Sequence, residues 1–222
     1  MTHIEQFIFN SFQERCCIVW DNSGDCAIVD PGYKDAERDR LVAFISSRGL
    51  KPVCIMLTHG HFDHIYGLAD LAGTYGIPIY MDKKERYSFD HTNPYVCGNY
   101  GFPLPEIPED SFFRYVEQGD IIEVGVLKFE VIQTPGHSAG GLCFLERSEK
   151  VLLSGDTLFA GAIGRTDHPG GDYDLLMKSI FTQLMHLDGD ISVIPGHGPC
   201  TDIATERMTN PFLMPFNEPY EE

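Results

Sequence analysis

Three histidines and an aspartate crowd into six residues: His59, His61, Asp63 and His64. They follow directly on the apolar run Val53-Cys54-Ile55-Met56-Leu57. Imidazoles packed this closely in a core would each need a polar partner, because burying an unsatisfied polar group is costly. A solvated polar loop is the simpler alternative. Against it stands the abrupt passage from a buried-strand run to His-x-His-x-Asp-His, which suits a strand end delivering donors to a metal ion. His137, Asp156 and His197 also lie at the ends of apolar runs, each beside a glycine. Imidazole and carboxylate without an adjacent thiolate suit Zn²⁺, Fe²⁺ or Mn²⁺. Seven candidate donors are too many for one tetrahedral ion. They match two divalent ions sharing a carboxylate, and Asp156 is the candidate bridge, since one carboxylate spans ions roughly 3.5–4 Å apart.

Short strands and helices must hold these residues. Ile4 to Phe9, Cys16 to Trp20 and Cys26 to Val29 read as three successive strands, with Asn22-Ser23-Gly24 turning the second into the third. Leu41, Phe44, Ile45 and Arg48 keep helical spacing within Asp35 to Arg48, and Gly49 fits just past the end. Pro52 to Leu57 is a buried strand. A helix is predicted from about Asp63, with Gly76 ending it, followed by a strand over Ile77 to Met81. Lys83 to Tyr115, broken by Pro94, Pro103, Pro105 and Pro108, reads as an irregular aromatic excursion. Strands resume at Ile121 to Val124, Leu127 to Gln133, Leu142 to Leu145 and Val151 to Ser154. A glycine-rich loop, a helix from an Asp172 N-cap to about His186 and a strand over Ile191 to Ile194 complete the series. Strands bracketed by helices in both halves suggest two packed sheets with helices outside.

The 222 residues and the 43% hydrophobic content suit one domain spanning 1–222. With 33 acidic and 16 basic residues, the net charge is −17. Such a surface repels nucleic-acid phosphates and anionic membranes. No apolar run approaches the ~20 residues of a membrane span, and the N-terminus lacks the pattern of a signal peptide. Seven cysteines, several in strand-like runs, read as reduced core residues of a cytoplasmic protein.

Thr58-His59-Gly60-His61-Phe62-Asp63-His64, Gly136-His137, Ser154-Gly155-Asp156 and Gly196-His197-Gly198, in this order, resemble the metallo-β-lactamase superfamily. The resemblance implies an α+β fold, a four-layer αββα sandwich with the metal site at one edge of the two sheets. It also implies a division of ligands: His59, His61 and His137 for one ion; Asp63, His64 and His197 for the other; Asp156 between them. Penicillin-cleaving members often carry Cys where Asp156 stands, so the aspartate points away from β-lactamase activity. RNA-processing members carry a clamping insertion, and no basic insertion is present here.

Two divalent cations lower the pKa of bound water from 15.7 toward 7 and polarise a carbonyl. Asp63 would then orient the attacking oxygen as well as bind metal, and no Ser or Cys nucleophile is needed. Gly155-Asp156-Thr157-Leu158-Phe159 and Ile163-Gly164-Arg165-Thr166-Asp167 resemble the glyoxalase II branch, thioesterases that hydrolyse S-lactoylglutathione. Pro195-Gly196-His197-Gly198-Pro199, Glu206-Arg207 and Asn210-Pro211-Phe212 are similar to its short bacterial members, which suggests a small-molecule thioester substrate. Full-length glyoxalase II enzymes add a helical C-terminal domain that helps hold glutathione, and none is expected here. Persulfide dioxygenases share Gly-Arg-Thr-Asp and hold one iron at positions matching His59, His137 and Asp156.

Among the remaining residues, Arg165 and Asp167 either face the pocket or pair with each other to fix the loop carrying Asp156. Asp30 is either a plain turn residue or an acceptor behind a ligating imidazole. His168, beside Pro169, is expected in solvent. His3, His91 and His186 receive no role. The aromatic excursion is either a pocket wall or a surface-packed loop.

Overall fold

The computed structural model describes residues 2–214. The strands are β1 (His3–Phe9), β2 (Glu14–Trp20), β3 (Asp25–Val29), β4 (Lys51–Met56), β5 (Ile79–Met81), β6 (Phe113–Tyr115), β7 (Ile121–Val124), β8 (Leu127–Gln133), β9 (Leu142–Glu146), β10 (Val151–Gly155), β11 (Leu158–Phe159), β12 (Ala162–Ile163), β13 (Ser192–Pro195) and β14 (Thr201–Asp202). One sheet runs β1-β2-β3-β4-β5-β6 and the other β14-β13-β10-β9-β8-β7; β11 and β12 form a separate hairpin. The first three strands are antiparallel, but β3 to β6 are parallel, as is the pair β10 and β13.

The inner strands are apolar on both faces because both faces are covered. Successive side chains point to opposite sides. Cys17, Val19, Val29 and Met56 therefore pack between the sheets against Phe129, Val131, Phe144 and Leu153. Their neighbours Cys16, Ile18, Ile28 and Ile55 face outward onto helices α1 (Glu37–Ser47), α2 (Phe62–Ile65) and α3 (Leu68–Tyr75) through Leu41, Ile45, Ile65, Leu68 and Leu71. Beyond α4 (Asn93–Tyr100), helix α5 (Tyr173–Ser179) and the following π-turn Ile180–Leu184 cover the second sheet with Leu176, Ile180 and Leu184. The expected αββα layering is the one observed. Among the described residues no helix is long and apolar enough to cross a membrane.

Three local expectations need correction. The single helix predicted from Asp63 is split into α2 and α3 at Gly67. A Cβ there would lie 2.3 Å from the Tyr33 ring, and the Gly67 amide donates to the Pro31 carbonyl at 2.8 Å instead of continuing the helix. The excursion from Lys83 to Tyr115 is not irregular throughout. It holds the 3₁₀ turn Lys83–Glu85, the π-turn Ser88–Thr92, α4 and β6. Pro94 sits in the first turn of α4, where its missing N–H costs nothing, so it starts a helix. Finally, helix α6 (Ile203–Thr209), unexpected from the sequence, begins at Asp202, whose carboxylate accepts from the Thr205 amide at 2.8 Å.

The parallel strands bring their carboxyl ends to one edge of the sandwich, where loops after β4, β10 and β13 converge. The Leu142 amide donates to the Thr58 carbonyl at 2.7 Å, and the Gly196 amide to the Gly155 carbonyl at 2.8 Å.

Candidate metal centre

His59 and His61 lie on the turn after β4, and Asp63 and His64 follow on α2. His137 comes from the β8–β9 connection, Asp156 from the end of β10 and His197 from the turn after β13. All seven candidate donors reach one place. The Nε2 atoms of His59 and His137 are 3.3 Å apart, and those of His64 and His197 are 3.2 Å apart. Asp156 lies between the two pairs, with Oδ1 3.5 Å from His64 Nε2 and Oδ2 3.6 Å from both His137 Nε2 and His197 Nε2. Asp63 Oδ2 is 3.5 Å from His197 Nε2. Two donor clusters result: His59, His61 and His137, and Asp63, His64 and His197.

The outer ring nitrogens explain this inward aim. His137 Nδ1 donates to the Arg165 carbonyl at 2.8 Å and His197 Nδ1 to the Phe12 carbonyl at 3.0 Å. His64 Nδ1 donates to Asp30 Oδ2 at 3.1 Å. Thr58 gives its hydroxyl proton to Asp30 at 2.5 Å, so it accepts from His59 Nδ1 at 3.1 Å. With the proton fixed at Nδ1, each of these rings turns its Nε2 lone pair to the centre. Facing lone pairs repel unless something positive, a proton or a metal ion, sits between them. Asp156 Oδ1 and His61 Nε2 are moreover buried without any hydrogen-bond partner. A cationic occupant resolves both problems, so the residues present fit divalent metal ions.

The third cluster, Asp30 with His59 and His64, is different. Asp30 accepts from the Thr58 amide at 2.8 Å as well as from Thr58 Oγ1 and His64. Its capacity is spent on fixing rings, so the acceptor reading of Asp30 is the one the structure supports.

Electrostatics separate the two donor clusters. Burial pushes His59 and His61 well below the usual imidazole range, and the neighbouring imidazoles push further. Burial also acts to lower His64, but Asp156, Asp30 and Asp63 outweigh it and hold its pKa well above the usual value. Burial opposes protonation of His197 too, yet its bond to Asp63 and the charge of Asp156 raise it. For Asp63, burial works to raise the carboxyl, but His197 and His64 overcome it and hold it low, so it is ionised.

Several supporting residues escaped the sequence reading. Arg15, at the start of β2, is buried and donates from both terminal nitrogens to the carbonyls of Pro195 and Gly198, on either side of His197. Its own amide donates to the Gly196 carbonyl at 2.7 Å. Its neighbour Glu14 is fully buried, with Oε1 4.0 Å from His64 Nδ1, and burial raises its carboxyl well above the usual range. Glu85 accepts from the Gly60 amide at 2.7 Å and the Gly140 amide at 2.6 Å, tying the His59–His61 turn to the loop after His137. The available signal was a charged pair, Glu14-Arg15, abutting an apolar strand run. Gly155 is required by space: its φ is +49°, and a Cβ would lie 2.3 Å from Thr58 Oγ1.

A cavity of about 530 Å³ opens onto this centre. It is lined by Asp63, His137, Asp156 and His197 and by Phe12, Phe62, Val96, Tyr100 and Phe102. The excursion thus supplies a pocket wall. Arg165 lies on the rim, paired with Asp167 by two contacts of 2.7 Å. His168 corrects its expectation: it is half-buried and lines the cavity, its ring centroid 6.5 Å from that of His61. Burial raises Cys54 to about 12 and Cys143 to about 11, and all seven cysteines are free.

The model of the metallo-beta-lactamase superfamily matches residues 12–197. The chain is 37% identical over 213 residues to hydroxyacylglutathione hydrolase GloC of Haemophilus influenzae, covering 95% of this chain and 98% of that one. Among solved structures, BLEG-1 B3 metallo-beta-lactamase matches with a TM-score of 0.85 at 35% identity, covering 95% of this chain and 99% of the other. TTHA1623 in a di-iron-bound form matches with a TM-score of 0.81 at 33% identity, covering 94% and 100%. The chain belongs to the metallo-β-lactamase superfamily. Family and donor clusters together are those of a metal-dependent hydrolase.

Proposed function

We propose that this chain is a binuclear thioester hydrolase of the glyoxalase II type, acting in the cytoplasm on a small hydroxyacyl thioester such as S-lactoylglutathione. The observation that carries the reading is the inward aim of the Nε2 atoms in two clusters with Asp156 between them. His59, His61 and His137 would hold one ion, Asp63, His64 and His197 the other, and Asp156 both. Zinc is the first candidate, with iron or manganese as alternatives; TTHA1623 is a di-iron relative. When bound, the cations supply Lewis-acid activation of water and of the thioester carbonyl.

The chain's own residues do the rest. Ionised Asp63 lines the cavity and accepts a hydrogen bond from the attacking water, which orients its lone pair at the carbonyl carbon. Asp30 and the carbonyls of Phe12 and Arg165 keep the rings from rotating. Water adds to the acyl carbon and gives up one proton, the C–S bond breaks, and the sulfur leaves as a thiolate that takes up that proton, so the products are the carboxylic acid and the thiol.

Metal analysis combined with turnover tests this. Two ions per chain with hydrolysis of a lactoyl thioester is the expected result. One iron per chain with O₂ uptake on glutathione persulfide would replace it with the dioxygenase reading.

A further inference from the structure

We propose that the aromatic side of the cavity binds a hydrocarbon group carried by the thioester, so that the preferred substrates are apolar acyl or apolar thiol esters. The inference rests on the thioesterase reading above and replaces its example substrate, S-lactoylglutathione, with esters of apolar groups. Phe12, Phe62 and Phe102 come from the β1–β2 turn, α2 and the segment after α4, and meet in a closed triangle. Their ring centroids are 5.1 Å (Phe12 to Phe62), 5.0 Å (Phe12 to Phe102) and 5.4 Å (Phe62 to Phe102) apart. Two of these contacts are edge-to-face and one is stacked, arrangements that lock aromatic rings in place. Val96 backs this group, and Tyr100, 63% exposed, extends it toward solvent. The wall is thus preformed, built by three separate parts of the chain, and lines the same cavity as Asp63 and Asp156.

Charge argues the same way. A tripeptide thiol such as glutathione brings two carboxylates. Among the described residues, Arg165 is the only arginine or lysine lining the cavity, and its Nε and Nη2 are already engaged by Asp167. The chain as a whole carries a net charge of −17. Apolar burial is the attraction such a wall offers, at roughly 25 cal/mol per Å² of surface removed from water. At about 530 Å³ the cavity falls within the range of small-molecule sites, roughly 300–1,000 Å³, leaving room beside the reacting ester.

The test uses the metal-loaded chain and four esters: S-acetyl-N-acetylcysteamine, S-phenylacetyl-N-acetylcysteamine, S-benzyl thioacetate and S-lactoylglutathione. A gain in kcat/KM of about tenfold or more for either aryl ester over the acetyl reference is expected, a size that hydrophobic pockets supply. Whichever aryl ester gains shows whether the acyl or the thiol end occupies the wall. Phe102→Ala should then drive the aryl-to-acetyl ratio toward one; a variant that folds poorly lowers both rates and leaves the ratio unchanged. The non-hydrolysable thioether S-benzyl-N-acetylcysteamine supplies a readout independent of turnover. It should bind the loaded chain at least tenfold more tightly than its S-methyl counterpart, and Phe102→Ala or Phe12→Ala should remove the difference. Rates that ignore the aryl group, or strongest turnover of S-lactoylglutathione, would overturn the inference while the thioesterase reading stands. No turnover of any ester would overturn the thioesterase reading, and thioether binding would then decide the wall alone.

Discussion

The two donor clusters sit a few ångströms apart and solve opposite problems. His59, His61 and His137 form an all-imidazole set, sunk where sheet ends and loops meet. Burial keeps His59 and His61 free of protons, so their lone pairs stand ready at neutral pH. Asp63, His64 and His197 mix imidazole with carboxylate, and the His197 side chain is 25% exposed. Here neighbouring aspartates attract protons to His64 and His197, so a cation must displace them. The supports differ too. The first set is fastened by Thr58, Glu85 and the Arg165 carbonyl, but the turn carrying His197 hangs on the β1–β2 segment through Phe12 and Arg15. Low-dielectric burial prepares one half of the centre, and charge pairing prepares the other.

Removing the residue common to both halves should have the largest effect. Asp156→Ala strips a carboxylate from each cluster, so bound metal should fall below one equivalent and turnover should drop beyond detection. Elemental analysis with a lactoyl-thioester assay measures both. Wild-type stoichiometry in this variant would show that Asp156 bridges nothing.

Arg15→Met should separate the halves. It removes two charge-assisted hydrogen bonds to the His197 turn, and a lost buried partner costs about 1–3 kcal/mol. The second ion should bind roughly 10–100-fold more weakly, with the first unchanged. Calorimetric titration reads the two steps, and equal weakening of both would make Arg15 a general folding residue.

Acidity should discriminate next. Since His64 and His197 titrate above the ordinary imidazole value of about 6.5, affinity for the second ion should fall as pH drops through that raised range. Loading it should release protons near neutrality, detectable as a buffer-dependent heat. The first set should show neither effect there. For the metal-free chain the signs follow by linkage. Stability from protonated His64 and His197 is present below about 6.5 and lost as pH rises through their raised values. The cost of keeping His59 and His61 neutral grows as pH falls below about 6.5. A pH series of denaturant unfolding on the metal-free chain checks both limbs.

The smallest change should come from His91→Ala. His91 is exposed and stacks on Tyr87 at 4.4 Å, away from both clusters. Metal content should be unaltered and stability should move by no more than about 0.5 kcal/mol. Loss of either ion would place His91 in a site from which it has been excluded.

The donors could be read from the primary structure because metal chemistry needs particular side chains, and His59, His61, Asp63 and His64 arrive as one dense run. The double sheet was readable for a similar reason, since strands covered on both faces are unbroken apolar runs. What escaped depended on contacts between distant segments. Arg15 gains its role only because β2 and the turn after β13, some 180 residues apart, lie side by side. Pro94 looked like a breaker because a proline opening a helix and one ending it are the same residue in different places. His168 seemed a surface residue until the loop after β12 folded over the cavity.

Anomalous scattering at the metal absorption edge, from crystals grown with zinc or iron, probes the centre most directly. Two peaks about 3.5–4 Å apart, one beside His59, His61 and His137, the other beside Asp63, His64 and His197, with Asp156 touching both, is the predicted map. A single peak held by His59, His137 and Asp156 alone would contradict it.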